Sequence, residues 1–221
     1  MRLSTCVHPL LVACVTVQMW GAPSARAAGD IAGYPATVEA YDPRELGMLP
    51  RYCIYTGEFR KHIPAGNDAA EVQRLTALMG STFEAMHHYC WGLMKTNRAL
   101  LLAKTKQVRM FYLSASISEF DYVIERAAPD FVLLPEILTR KGENLIRLGN
   151  VAAGITELQA AIDAKRDYWP PYVALSDYYK QSGDVAKARE LLETALSFAP
   201  DAKGVQRRIA ALQGSDAGRK R

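Results

Sequence analysis

The chain lacks the motifs by which common enzyme classes are recognised. It has no Gly-x-Ser-x-Gly turn, no phosphate-binding loop, no His-Glu-x-x-His zinc motif and no dinucleotide fingerprint following a strand. None of its four cysteines belongs to a Cys-x-x-Cys-His sequence, so covalent haem attachment is unsupported. Acid pairs such as Glu119 with Asp121 fall on predicted solvent faces of helices and need no catalytic explanation. We therefore expect no enzymatic activity and no cofactor.

The N-terminus contains no apolar run long enough for a membrane-spanning helix. Residues 10–20 are mostly apolar, but spanning a bilayer takes about 20 residues. Arg2 precedes this run and an Ala-Arg-Ala sequence at residues 25–27 follows it, which is the pattern of a secretory signal peptide with an A-x-A cleavage site. We predict that residues 1–27 are this signal and that the mature chain is periplasmic in a Gram-negative bacterium.

One alternative at the N-terminus remains open. The sequence Leu-Val-Ala-Cys at residues 11–14 resembles a lipobox, which would leave Cys14 lipidated at the new N-terminus. The segment before it is very short and the residues after it stay apolar, which both favour the cleaved signal. We expect membrane attachment only if Cys14 is lipidated.

A strong excess of charge of either sign is absent. The formal net charge is +4 at pH 7, and it falls to +2 when Arg2 and Arg26 are removed with the signal. Because nucleic-acid-binding proteins concentrate cations on one face, this balance gives no reason to expect nucleic acid as a partner. The hydrophobic content of 49% and the charged content of 23% are ordinary for a globular protein.

What the chain does contain is a 34-residue repeat in its C-terminal half, a length typical of stacked helical hairpins. Gly-Asn-Val at residues 149–151 recurs as Gly-Asp-Val at residues 183–185. We expect each Gly to end a helix in the left-handed conformation, and Asn150 and Asp184 to cap the next helix. The apolar positions recur in the same register and pair Leu138 with Tyr172, Leu145 with Tyr179, Leu158 with Leu192, Ala161 with Ala195, and Ile162 with Leu196.

Residues 169–202 resemble a tetratricopeptide repeat, whose pattern is aromatic, Leu, small, Tyr, Gly, Ala, bulky, Ala, Pro. These slots are filled by Tyr172, Leu175, Ser176, Tyr179, Gly183, Ala188, Leu192, Ala195 and Pro200. Residues 135–168 are similar to the same pattern but lack the terminal Pro. The resemblance implies an all-α, right-handed α-solenoid of about three helical hairpins that binds other proteins.

The sequence before the two repeats predicts further helices. One repeat length before Asn150, Ser116 and Glu119 have the spacing of a capping box, which predicts a helix start and a degenerate repeat at residues 101–134. Apolar residues three and four apart follow Asp68, so residues 68–100 are expected to form atypical helices, interrupted once at Gly80. Frequent Gly and Pro predict an irregular N-terminal arm over residues 28–67.

The sequence after the repeats predicts the end of the stack. Residues 203–213 carry apolar side chains on one face and Arg207 and Arg208 on the other, as a closing helix would. Residues 214–221 are small and basic and are predicted to be disordered.

Cys53, Cys90, His62, His87 and His88 all fall within about forty residues and allow three interpretations. An exported protein folds where thiols oxidise, which favours a disulfide between Cys53 and Cys90 worth roughly 3 to 4 kcal/mol. Alternatively, both cysteines are unpaired core residues. A third interpretation is a metal site, because His87 and Cys90 share a helix face, although no known ligand spacing is matched.

The resemblance also places a binding surface on the concave groove lined by the first helix of each unit. Proteins of the family that grip a terminal carboxylate use Lys, Arg and Asn there, whereas this chain has Glu143 and Asp177, so a carboxylate clamp is not expected. The predicted protein-binding residues are Arg140, Glu143, Arg147, Asp177, Lys180 and Gln181. Further groove positions are Glu136, Thr139, Ile146, Val173 and Ala174.

Together these features predict an exported scaffold or adaptor. Its partner would be another protein or protein complex of the bacterial envelope, such as one that assembles or secretes an envelope complex. The alternative is a metal-binding or thiol-redox accessory module that uses Cys53, Cys90, His62, His87 and His88.

Overall fold

Antiparallel helical hairpins stack side by side through most of the chain. The computed structural model describes residues 30–219, and residues 213–219 by their backbone alone. Every regular element in that part of the chain is helical. The predicted all-α solenoid is confirmed. No helix among residues 30–219 combines the length and the apolar character needed to cross a membrane.

The helices differ in length between the two halves of the chain. Short 3-10 segments precede or join the early ones, at Val38–Ala40, Arg51–Tyr55, Pro64–Asn67 and Gly80–Ala85, and a π-helical turn covers Arg98–Leu102. The α-helices are α1 (Pro43–Leu46), α2 (Gly57–His62), α3 (Ala69–Met79), α4 (Met86–Asn97), α5 (Lys106–Ile124), α6 (Leu134–Leu148), α7 (Val151–Ala164), α8 (Pro170–Gln181), α9 (Val185–Phe198) and α10 (Lys203–Arg219).

The two glycines of the repeat end their helices in the same way. Gly149 and Gly183 have φ angles of 91° and 93°, in the left-handed region that favours glycine. The amide of the residue after each glycine donates to the carbonyl five residues back, at 2.9 Å and 2.8 Å. This is the Schellman ending of a helix. The predicted left-handed exits from α6 and α8 are confirmed.

The predicted caps of the following helices differ from each other. The Asp184 carboxylate accepts a hydrogen bond from the Lys187 amide at 2.9 Å, as expected. Asn150 makes no capping hydrogen bond through its side chain, so that prediction is wrong. A carboxylate is the stronger acceptor beside the positive end of a helix, and the neutral Asn150 side chain is exposed to solvent instead.

Helices α6 and α7 touch through two glycines. A Cβ at Gly142 would lie 2.9 Å from the Gly154 carbonyl oxygen, and one at Gly154 would lie 2.7 Å from the Gly142 carbonyl oxygen. Neither position therefore has room for a larger residue. Leu158 of α7 fills the adjoining space and is fully buried. The close approach makes this hairpin a tightly packed unit.

Helix α5 corrects the prediction made at Ser116. The helix begins after Thr105, whose hydroxyl accepts from the Val108 amide at 3.2 Å, and it continues without a break past Ser116. No Gly or Pro interrupts this stretch, so the Ser-Glu spacing falls inside the helix and the predicted capping box is wrong. The buried Ser116 hydroxyl donates to the Leu113 carbonyl instead. Residues 101–134 thus contain one α-helix, and its hairpin partner is α4.

The arm consists of short helices joined by turns. Its helices α1 and α2 have four and six residues. Helix α3 begins after Asp68, whose carboxylate accepts from the amides of Ala70 and Glu71. It ends at Gly80, which has a φ of 61°. The predicted interruption at Gly80 is therefore a break between α3 and α4.

Helix α10 closes the stack against α9. Its helical backbone continues to Arg219, into the segment of residues 214–221, whose disorder stays a prediction. The predicted signal peptide, Cys14 and the last two residues lie outside the described residues.

Candidate protein-binding groove

Two adjoining cavities run along the face formed by the first helix of each hairpin. One, of about 420 Å³, lies between the loop Gly47–Pro50, α4 and α6. The other, of about 240 Å³, lies between α6 and α8. Glu143 and Arg147 of α6 line both cavities. The two cavities therefore form one surface, which we call the inner groove.

The first cavity has one apolar wall and one charged wall. Its charged wall is the face of α6 that carries residues 136, 140, 143 and 147, spaced four, three and four apart as one helix face requires. These residues are Glu136, Arg140, Glu143 and Arg147. Across from them, the apolar lining residues are Met48, Leu49, Pro50, Leu93 and Leu100.

The charges on α6 are paired loosely. Glu143 lies between two arginines, with its Oε2 atom 3.6 Å from Arg140 Nη1 and 3.5 Å from Arg147 Nη1. The Arg140 and Arg147 side chains keep 46% and 36% of their surface exposed. Exposed pairs of this kind contribute little to stability. Arg147 Nη1 also donates to Asn144 Oδ1 at 3.0 Å. Arg140 can exchange Glu143 for another carboxylate at small cost.

Tyrosines surround the N-terminal end of the charged wall. The Tyr89 hydroxyl donates to Glu136 Oε1 at 2.7 Å, so this carboxylate already has a partner. Burial raises the pKa of Tyr168 to about 12 and also raises that of Tyr89, and both stay protonated at neutral pH. Burial alone would lower the pKa of Arg140, but the nearby carboxylates of Glu143 and Glu136 raise it above its ordinary value.

The second cavity contains an ion pair that joins two helices. Asp177 of α8, which lines this cavity, pairs with Arg208 of α10. Burial raises the pKa of the Asp177 carboxyl, and the charge of Arg208 opposes this rise. Arg208 was not among the predicted groove residues, because the sequence places it on the solvent face of a closing helix. Asp177 and Arg208 are 31 residues apart, and no sequence pattern indicates that they are in contact.

The inner groove contains most of the predicted binding residues. Arg140 lines the first cavity, Asp177 and Gln181 line the second, and Glu143 and Arg147 line both. Lys180 is exposed on α8 but lines neither cavity. Their role in binding stays a prediction.

Two further positions are wrong as groove residues. Thr139 is 3% exposed and its hydroxyl donates to the Pro135 carbonyl, while Val173 is 7% exposed in the apolar core. Both side chains face the interior of the stack because α6 and α8 each bury a wider stripe than the repeat pattern marks.

A disulfide ties the N-terminal arm to the groove. Cys53 and Cys90 are bonded, with their Cα atoms 5.8 Å apart, and both are fully buried beside Phe59 and Met94. The predicted disulfide is confirmed. Cys53 lies three residues after the loop Gly47–Pro50, so the bond holds this wall of the first cavity against α4.

A buried ion pair provides a second tie. The Arg98 guanidinium donates to both carboxylate oxygens of Glu45 in α1, at 2.5 Å and 2.6 Å, and to the Tyr112 hydroxyl at 3.1 Å. Arg98 and Glu45 are 0% and 1% exposed. Burial alone would lower the pKa of Arg98, but its hydrogen bonds with Glu45 and Tyr112 raise it. The sequence analysis missed this pair.

The histidines do not assemble with the cysteines. His62 stacks on Tyr41, whereas the rings of His87 and His88 lie 4.4 Å apart on α4. His88 Nδ1 lies 2.6 Å from Glu119 Oε2, so Glu119 is a half-buried partner of α4 and does not face solvent as predicted. Across residues 30–219, no three His, Cys, Asp or Glu side chains converge as a metal site would require. The metal-site alternative has no ligand set here.

Comparison with known proteins agrees with the geometry of the last hairpin. Residues 170–202, which cover α8 and α9, match the tetratricopeptide repeat family. The hairpin formed by α8 and α9 is therefore similar to a tetratricopeptide repeat. Tetratricopeptide repeats are protein-interaction modules and are generally not enzymes. No curated protein matches the chain.

Proposed function

We propose that this protein is an exported adaptor that binds a protein of the bacterial envelope in the inner groove. The observation that carries the proposal is the pairing of an apolar wall with an exposed, loosely paired charged wall in the first cavity. A partner segment with apolar side chains on one side and charges on the other fits both walls at once.

The disulfide supports the proposed compartment. A bond between Cys53 and Cys90 forms and persists in an oxidising environment such as the periplasm. It agrees with the signal peptide predicted at residues 1–27. Both sulfurs are fully buried, which is typical of a structural disulfide and not of an exposed redox pair.

The test compares the partner bound by the natural protein and by groove variants in cells. The groove variant is Arg140→Glu, Arg147→Glu, Lys180→Glu, which reverses two cations of the inner groove and the exposed Lys180 of α8. We expect it to bind the crosslinked envelope partner at least about tenfold more weakly, because the reversed charges repel what the natural charges attract. The matched control reverses three exposed cations outside the groove, Lys165, Arg166 and Lys203.

Both variants must retain the helical circular dichroism of the natural protein for the comparison to count. Equal binding by the groove variant and the natural protein would refute the proposal. Recovery of the processed chain from the cytoplasm would refute the proposed compartment alone, since the groove comparison does not depend on it.

A further inference from the structure

The turn between α4 and α5 and the first turns of α5 expose a group of large apolar side chains. Leu101 and Phe111 are 65% and 46% exposed, and Leu100 and Met110 are exposed beside them. Four of the eight large hydrophobic residues that are exposed among the described residues thus lie between residues 100 and 111. We call this segment the hairpin tip.

The same segment is cationic. Lys104, Lys106 and Arg109 are exposed between the apolar residues, and none of them makes an ion pair with another residue that the structure describes. The sequence contains no Asp or Glu from residue 85 to residue 118. The hairpin tip therefore combines apolar groups with three uncompensated positive charges.

A buried apolar cluster and a buried ion pair hold the hairpin tip in place. Ala99, Tyr112 and Leu113 form a buried cluster under it. The buried pair of Arg98 with Glu45 fixes the start of the π-helical turn, and the Ala103 amide closes that turn by donating to the Arg98 carbonyl at 2.8 Å. The exposed side chains are thus presented by a rigid base, which lowers the entropy lost when they are buried against a partner.

We propose that the hairpin tip docks this protein on an anionic lipid surface. Lys and Arg next to apolar and aromatic side chains are the combination that holds peripheral proteins at the boundary of headgroups and acyl chains. Leu101 is exposed on the π-helical turn and Met110 and Phe111 on the first turns of α5. The three line neither cavity of the inner groove, so they fit a soft lipid surface better than a shaped protein pocket. This contact is peripheral and does not require lipidation of Cys14.

Docking at the hairpin tip also orients the groove. Leu100 belongs to the tip and lines the first cavity as well, so that cavity opens next to the docked surface. A partner segment bound there would lie close to the membrane. The proposal goes beyond the adaptor function and does not depend on it, because lipid binding is measured without the protein partner.

The test is sedimentation of the intact protein, purified from cells in the form they produce, with two types of vesicle. One type is phosphatidylcholine alone, and the other contains one third phosphatidylglycerol. We expect binding to the anionic vesicles only, and weaker binding at high salt. The variant Lys104→Gln, Lys106→Gln, Arg109→Gln should bind on the order of 100-fold more weakly, at about fivefold for each cation. The variant Leu101→Ser, Phe111→Ser should lose about tenfold or more.

Matched variants control for charge and apolar surface elsewhere. Replacing Lys165, Arg166 and Lys203 with Gln, or the exposed Leu78 with Ser, should leave vesicle binding unchanged. Equal binding to both vesicle types, or equal binding by the tip variants and the natural protein, would overturn the proposal. The proposal would also be overturned if the hairpin tip bound neither vesicle type but were needed for capture of an acidic protein partner.

Discussion

The buried pair of Arg98 and Glu45 allows the sharpest prediction about stability. Arg98→Met removes the guanidinium and leaves the Glu45 carboxylate 1% exposed with no cation. Breaking a buried ion pair on one side costs about 3 to 5 kcal/mol of the free energy of unfolding. That is a large fraction of the about 5 to 15 kcal/mol that stabilises a typical domain. The double variant Glu45→Leu, Arg98→Met removes both charges and should recover most of the loss.

The assay is urea unfolding followed by helical circular dichroism. The matched control is Arg74→Met, which removes the cation from the exposed pair of Arg74 with Glu71 in α3 and should change stability little. An Arg98→Met variant as stable as the Arg74→Met variant would refute the reasoning. A double variant less stable than Arg98→Met would refute it too, because the loss would then come from packing and not from an unpaired charge.

Two further predictions concern the arm and α4. The double variant Cys53→Ser, Cys90→Ser should lose about 4 kcal/mol of unfolding free energy, since it opens a loop of 37 residues, whereas an unchanged urea midpoint would contradict this. Burial lowers the pKa of His87 below its ordinary 6.5, so the unfolded chain binds more protons just below pH 6.5 and stability falls as the pH drops through that range. A His87→Asn variant should show a flatter dependence of thermal unfolding on pH between about 5 and 7, and a slope equal to that of the natural protein would assign the effect to another group.

The repeat region could be predicted because its determinants are local. Gly149 and Gly183 are needed for left-handed exits, and Asp184 is needed where free amides begin a helix. The same requirements recur after one repeat length of 34 residues, so the assignment of one hairpin supports the assignment of the next. The groove residues on α6 followed from the same register, since one helix face is fixed once the helix is placed.

The rest could not be predicted because it depends on contacts between distant residues. Glu45 and Arg98 are separated by 53 positions, and nothing near either residue indicates the other. The Ser116 hydroxyl makes a tertiary contact inside α5, in which the Asn144 side chain of α6 donates to it at 2.9 Å, and the local Ser-Glu spacing does not reveal this. A local capping pattern does not interrupt a helix that is buried against its neighbours.

The central claim is that the inner groove binds a protein partner, and site-specific photo-crosslinking in cells tests it most directly. A photoreactive residue would replace Gln181, which lines the second cavity, or Gln159, which is exposed on α7 outside the groove. We predict that the probe at position 181 crosslinks to one envelope protein and that the probe at position 159 does not. A partner captured only from position 159, or equally from both, would contradict the account.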